Sequence, residues 1–255
     1  LKIVSYNVNG IRAAERKGLL DWLDAHDPDI LAIQEVKARP EDVSETLFAP
    51  EGYYGFWHSA EKKGYSGVAV WTKQQPKHVE IGIGEEKYDR EGRVIRLDYD
   101  NFSLMNVYMP SGSSGDERQA FKDQFLIDFR EFIVELKQDI PNLIICGDYN
   151  IVHEDIDIHN PSSNRKSSGF LAHERKWVTE FIELGFRDSF RMLHEGEPDF
   201  YTWWSYRAGA RQRNKGWRID YHMVTEPLAD KCIASNIYRH DLHSDHAALE
   251  LILDL

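Results

Sequence analysis

Ten short apolar runs separated by turn residues recur along the chain: LKIVSYNV, DILAIQE, GYYGFWHS, SGVAVWT, RVIRLDYD, FSLMNVYM, NLIICGD, WRIDYHMV, CIASNIY and HAALELIL. Runs this short, rich in Val, Ile and aromatic residues, predict strands. Several alternate strictly. Phe102, Leu104, Asn106 and Tyr108 oppose Ser103, Met105 and Val107, which suits sheets whose two faces are occupied differently. Helical spacing is rarer. It is clearest over residues 116 to 138, where Phe121, Phe125, Phe129, Phe132, Ile133 and Leu136 form one apolar stripe of the kind that packs a core. It recurs over 12 to 25 and 171 to 184. About ten strands with helices interspersed, and no Gly/Ser-rich linker, predict an α/β fold of two packed sheets flanked by helices, one domain over residues 1–255. The segment HEDIDIHNPSSNRKSSG, residues 153 to 169, reads as a surface loop and a place for binding residues.

Lys and Arg number 31 against 43 Asp and Glu, a net charge of −12. On average charge alone such a body does not invite a polyanion. The average hides RAGARQRNKGWR, residues 207 to 218, which carries Arg207, Arg211, Arg213, Lys215 and Arg218 and no acid. A basic strip of this kind is expected to steer nucleic acid to one face. Cys146 and Cys232 lie in apolar runs and make no CxxC pair, so neither a disulfide framework nor a zinc site is expected, and a reducing, cytoplasmic setting is favoured. No apolar run nears the ~18 residues of a membrane span and no secretory leader is read, so no membrane partner is expected.

The strand ends carry the chemistry. LIICGDYNI, residues 143 to 151, runs from apolar residues straight into Asp148 and Asn150. VSYNVNG delivers Asn7 and Asn9, LAIQEVK delivers Gln34 and Glu35, RIDY delivers Asp220, and HSDHAALEL brings Ser244, Asp245 and His246 just ahead of a strand. Singly, each is an ordinary turn or capping residue. Together they offer carboxylates, amides and an imidazole but no thiol, at the strand ends where layered α/β folds bind ligands. That donor set suits a hard cation such as Mg²⁺ or Mn²⁺. The serine-rich PSGSSGD lacks a GxSxG elbow and reads as a phosphate-contacting loop.

NVNGIR, QEVK, NVYMPSG, GDYNI, WRIDY and SDHAALEL occur in an order and spacing that resemble the exonuclease III family of AP endonucleases, within the endonuclease/exonuclease/phosphatase superfamily. The resemblance spans essentially the whole chain. It implies a four-layered α/β sandwich of DNase I-like type. It also implies a Mg²⁺-dependent phosphodiesterase that incises DNA 5′ to abasic sites and acts on blocked 3′ ends by phosphodiesterase, phosphatase and 3′–5′ exonuclease chemistry, as a monomer. In that resemblance Glu35 is the principal metal ligand, with Asn7 and Asp245 near it. Asp148 holds and deprotonates the attacking water, and Asn150 positions it. His246, oriented by Asp220, contacts the phosphate, with Tyr108 beside it.

The resemblance further implies backbone contacts to double-stranded DNA from Arg12, Lys17, Lys37, Tyr65, Ser111, Asn160 and Asn164, a pocket for a flipped abasic sugar at Trp203, Trp217 and Ile219, and a wedge at Arg207. Asn9 stands where some relatives carry an acid, Ser114 where some carry a second wedging arginine, and Ser168 is small, which leaves the pocket entrance open. Two alternatives share parts of this pattern. One is another phosphohydrolase of the superfamily, such as an inositol-phosphate phosphatase, a sphingomyelinase or a non-specific DNase; the other is a catalytically silent DNA-binding scaffold.

Overall fold

Alternation along the strands sorts the side chains into three buried layers. The computed structural model describes residues 1–255 and holds twelve strands: β1 (Lys2–Asn7), β2 (Ile30–Gln34), β3 (Tyr54–His58), β4 (Val68–Thr72), β5 (His78–Ile81), β6 (Val94–Asp98), β7 (Ser103–Tyr108), β8 (Leu143–Asp148), β9 (Phe186–Asp188), β10 (Asp220–Thr225), β11 (Cys232–Tyr238) and β12 (Ala248–Leu253). They form two six-stranded mixed sheets, ordered β11-β12-β1-β2-β4-β3 and β5-β6-β7-β8-β10-β9. Each centres on one parallel pair, β1 with β2 and β7 with β8, flanked by antiparallel neighbours.

The facing sides of the sheets share a core of Ile3, Ile30, Ala32, Val68, Val70, Leu104, Ile144, Cys146, Val224 and Leu251. On the outer side of the second sheet, Met105, Val107, Ile145 and Met223 pack beneath the Asp116–Asp139 and Ala172–Glu183 helices through Phe125, Phe129, Trp177 and Phe181. On the outer side of the first, Val4, Tyr6, Leu31 and Trp71 meet the Ile11–Glu15 and Leu19–His26 helices. The result is a four-layered α/β sandwich.

The interface between the sheets is mostly apolar, and a buried amide bridge crosses it. Gln34 Nε2 donates to Asn106 Oδ1 (2.7 Å) and Ser5 Oγ (3.1 Å), while Asn106 Nδ2 donates to the carbonyls of Ile33 and Ala69, each at 2.9 Å. The amides thus reach from one sheet into the other.

Three expectations are revised. β5 and β9 are strands that the ten apolar runs do not contain: β5 is an almost wholly solvent-facing edge and β9 is only 3 residues long, so neither shows an apolar signal. The helical pattern over 12 to 25 is two helices, because Gly18 takes a left-handed φ of +92° between them. Segment 153 to 169 is not simply surface: Asp157 and Ile158 are buried and Pro161–Asn164 is a helical turn. Neither cysteine is in a disulfide, and no helix is long and apolar enough to cross a membrane.

Candidate active site

Period-two alternation decides which strand-end residues meet. Asn7 shares a face with Ile3, Gln34 with Ile30 and Ala32, Tyr108 with Leu104, Asp148 with Ile144 and Cys146, and Asp220 with Val224; all of those partners belong to the core between the sheets. The polar residues therefore emerge on the facing sides, at its rim. Register aligns them in rows: Asn7 opposite Gln34 on one sheet, and Tyr108 and Asp220 on either side of Asp148 on the other. Gly147 lets the second row close up, since a Cβ there would stand 1.9 Å from the Val107 carbonyl oxygen.

Asn7 Nδ2 donates to Glu35 Oε1 (2.8 Å) and Asp148 Oδ2 (2.9 Å), spanning the two sheets. Its oxygen accepts the Asn9 N–H at 3.0 Å, so here Asn7 acts as an amide donor between two carboxylates rather than as an oxygen ligand. Glu35 holds a φ of +52°, a conformation unusual for a residue with a side chain and typical of functional sites. One ligand atom each from Glu35, Asp148 and His246 lies within 4.8 Å of the others, an arrangement able to hold a metal ion. Asp245 lines the same hollow, yet both its oxygens are engaged, Oδ1 by Asn9 Nδ2 (2.9 Å) and Oδ2 by Trp203 Nε1 (3.0 Å).

Electrostatics separate the titratable groups. His246 Nδ1 donates to Asp220 Oδ2 at 3.0 Å and its Nε2 lies 3.8 Å from Asp148 Oδ2. Burial alone would favour a neutral ring, but the charges of Asp220, Asp148 and Asp245 outweigh it and raise the imidazole to about 10. For Asp148 burial dominates; with Asp220 and Glu35 nearby it pushes the carboxyl up to about 7 against the pull of His246. One of its oxygens accepts the Asn150 N–H at 2.8 Å, and Asn150 Nδ2 donates to the Met109 carbonyl at 2.9 Å. Burial and the Glu35 charge keep the Tyr108 phenol protonated, well above its ordinary value.

Beside this cluster opens a hollow of about 740 Å³. Trp203 and Trp217 cross edge to face at 5.9 Å and, with buried Ile219, cap a small apolar cluster of Val152, Ile158 and Phe170. Much of the remaining lining is polar, with Ser111, Ser113, Gln119, Lys166, Ser167 and Ser168.

A profile of the endonuclease/exonuclease/phosphatase family matches residues 4–246. The chain belongs to this family. An exodeoxyribonuclease of Bacillus subtilis (strain 168) is 44% identical over 256 residues, covering 100% of each chain, which places the protein in the family's exonuclease III-like group. An AP endonuclease structure from Archaeoglobus fulgidus superposes with a TM-score of 0.90 at 32% identity, again covering 100% of both chains. A 3′ phosphatase structure from Neisseria, bound to a product DNA hairpin, reaches 0.91 at 27% identity over 100% of both.

Of the other residues anticipated for this family, Ser111 lines the hollow and the rest lie outside its lining. Arg12, Asn160 and Arg207 are exposed, and Lys17 is exposed with its Nζ on the His243 carbonyl (2.9 Å). Asn164 Nδ2 donates to the Asn160 carbonyl (2.9 Å), and Ser111 Oγ pairs with Ser113 Oγ (2.9 Å). The Tyr65 hydroxyl accepts from Arg93 and Arg118, each at 3.1 Å. Lys37 turns inward, with Nζ 2.7 Å from Glu35 Oε2 and 2.5 Å from Asn9 Oδ1, so a cationic group already neighbours the acidic cluster. The basic strip shrinks under inspection. Arg218 is fully buried against Asp157 and Asp188, and Arg211 stacks on Trp204 while donating to the carbonyls of Arg239, Asp241, Ser244 and His246. Only Arg207, Arg213 and Lys215 remain exposed from it.

Proposed function

We propose that the protein is a Mg²⁺-dependent DNA repair phosphodiesterase, active as a cytoplasmic monomer, that incises duplex DNA 5′ to abasic sites and clears blocked 3′ ends. The observation that carries this reading is the aromatic-walled hollow opening directly onto the Glu35–Asp148–His246 cluster. An extruded nucleotide is least costly where the base is missing, and a pocket walled by Trp203, Trp217 and Ile219 suits a bare sugar.

The donors fit a hard cation. Carboxylate oxygens of Glu35 and Asp148 converge, and the Lys37 ammonium beside Glu35 marks a place where positive charge is favourable. Glu35 would hold the ion, with Asp148 in reach and Asp245 lining the same hollow; Mn²⁺ has the same ligand preference. When bound, it would offset charge on the phosphoryl oxygens and on the departing 3′ oxygen. The chain's own groups supply the rest. Asp148, held by the Asn150 N–H, takes a proton as a water oxygen attacks phosphorus. The P–O3′ bond breaks and the departing oxygen takes a proton from solvent, leaving a 3′ hydroxyl and a 5′ phosphate. The His246 imidazolium, kept charged by Asp220, donates Nε2–H to a phosphoryl oxygen, and the Tyr108 hydroxyl donates beside it.

The test is a labelled duplex with one central abasic site, incubated with Mg²⁺ or with EDTA. A single nick 5′ to the lesion is expected, abolished by chelation and slowed by at least about 10²-fold in Asp148→Asn, the lower end of what proton transfer contributes. Hydrolysis of phosphoinositide or sphingomyelin in preference to this duplex would refute the reading.

A further inference from the structure

The Asp116–Asp139 helix buries a lysine beside its phenylalanines. Lys122 and Glu174 are both 0% exposed and pair at 2.5 Å. Lys122 Nζ also donates to the Asn150 carbonyl at 2.9 Å. The second Glu174 oxygen accepts the N–H groups of Gly169 (2.7 Å) and Leu171 (3.0 Å), and Gln119 Nε2 reaches its partner oxygen at 3.1 Å. One ion pair thereby ties three pieces together: the chain just past β8, the Gly169–Leu171 wall of the hollow, and the long helix.

Such a pair is a poor source of stability. Taking two charges out of water costs more than their attraction returns unless every bond is made, and an apolar pair of equal volume often folds at least as well. Its placement points to geometry. Asn150 holds a φ of +53°, which sends its N–H to Asp148 Oδ1 and its carbonyl to Lys122. Gly169 presses on the same spot, for a Cβ there would lie 3.0 Å from the Asn150 carbonyl oxygen and 3.2 Å from the Trp217 ring.

We infer that Lys122 and Glu174 are positioning residues for strand cleavage, which hold Asn150 in the turn that aims its N–H at Asp148. Neither touches the substrate. The inference rests on the nuclease reading above, and it predicts that the pair acts on turnover and not on DNA affinity.

The test uses the double variant Lys122→Met/Glu174→Gln in the full chain. Methionine keeps an unbranched chain of similar reach, glutamine keeps an acceptor for the Gly169 N–H, and no buried charge is left unpaired. Steady-state cleavage of the abasic duplex and thermal melting are measured together. The expected result is a wild-type-like melt, KM within about twofold, and kcat lower by about 10- to 100-fold, the range seen when groups supporting a catalytic ligand are lost. Wild-type kcat in the folded variant overturns the inference, as does a change confined to KM. If the double variant does not fold, Glu174→Asp replaces it: the charge is kept but drawn back by one methylene, and full turnover from that variant overturns the inference equally. A wild-type protein that leaves the abasic duplex uncut sinks the nuclease reading itself; a wild type that cuts, with variants that cut as fast, sinks only this inference.

Discussion

Asp157 is the sharpest place to test how the pocket wall is held. Its carboxylate is fully buried and accepts five N–H groups: Arg191 Nε and Nη2 (2.9 and 2.6 Å), Arg218 Nε and Nη2 (2.7 and 3.0 Å), and the Glu154 backbone (3.2 Å). Burial would raise its pKa, but the guanidiniums of Arg218 and then Arg191 overcome this and bring it from 3.8 to about 2. At roughly 1.4 kcal/mol per pH unit, the depression is worth about 2 kcal/mol of stability. Because the folded-state value is the lower one, that stability is complete well above pH 3.8 and is lost as pH falls through 2; roughly half is gone by pH 3. Asp157→Asn keeps the shape and removes the charge, leaving buried Arg218 with Asp188 alone. The loss at pH 7 should be about 3–5 kcal/mol, the usual penalty for breaking a buried pair from one side. Urea unfolding followed by tryptophan fluorescence at pH 7, 5 and 3 checks both numbers. The gap between wild type and variant must narrow by about 1 kcal/mol between pH 7 and pH 3. A gap that stays constant with pH would refute the assignment of that stability to the Asp157 charge.

Other outcomes follow from the same geometry. Asp220→Asn removes the charge that keeps the His246 ring protonated, so the alkaline fall in cleavage rate should begin at lower pH than in wild type; a superimposable pH–rate profile would contradict the role given to that ring. Gly147→Ala drives a Cβ into the Val107 carbonyl and should cost about 1–3 kcal/mol or more in urea unfolding, with activity falling as β8 is displaced. Trp217→Ala widens the hollow, and the ratio of incision at an abasic site to incision of undamaged duplex should drop at least about tenfold, the scale on which an apolar pocket discriminates.

Much of this site was legible because its residues terminate apolar strands. Asp148, Tyr108 and Asn7 follow core residues at period two and Asp220 precedes one, so the pattern that names the strand also names the face on which each emerges. Glu35 escapes that rule, for it lies one residue past β2 and reaches the site through a left-handed turn. Charge was harder to place. Arg211 and Arg218 read as part of a basic strip because a linear sequence carries no record of which guanidinium finds a buried carboxylate or a fan of carbonyls. Lys37, for which the resemblance implies a contact to the DNA backbone, also pairs with Glu35, a neighbour its place in the sequence does not reveal. The Lys122–Glu174 pair went unread, although a signal existed: Lys122 precedes Phe125 and Phe129 by three and seven residues, which puts a cation on the helix's apolar face, where it needs a buried partner. β5 was invisible because an edge strand facing water carries no apolar alternation, and β9 because 3 residues are too few to show one.

The amides of Gln34 and Asn106 lock one half of the cleft to the other. Walls tied together in this way resist closing on what enters them, and under the proposed function the flexing would be left to the nucleic acid. Under the nuclease function proposed above, a duplex made pliant by a missing base would adopt the required shape at little expense while fully stacked DNA would resist it, so that lesions would be sorted by mechanical compliance before any bond is broken.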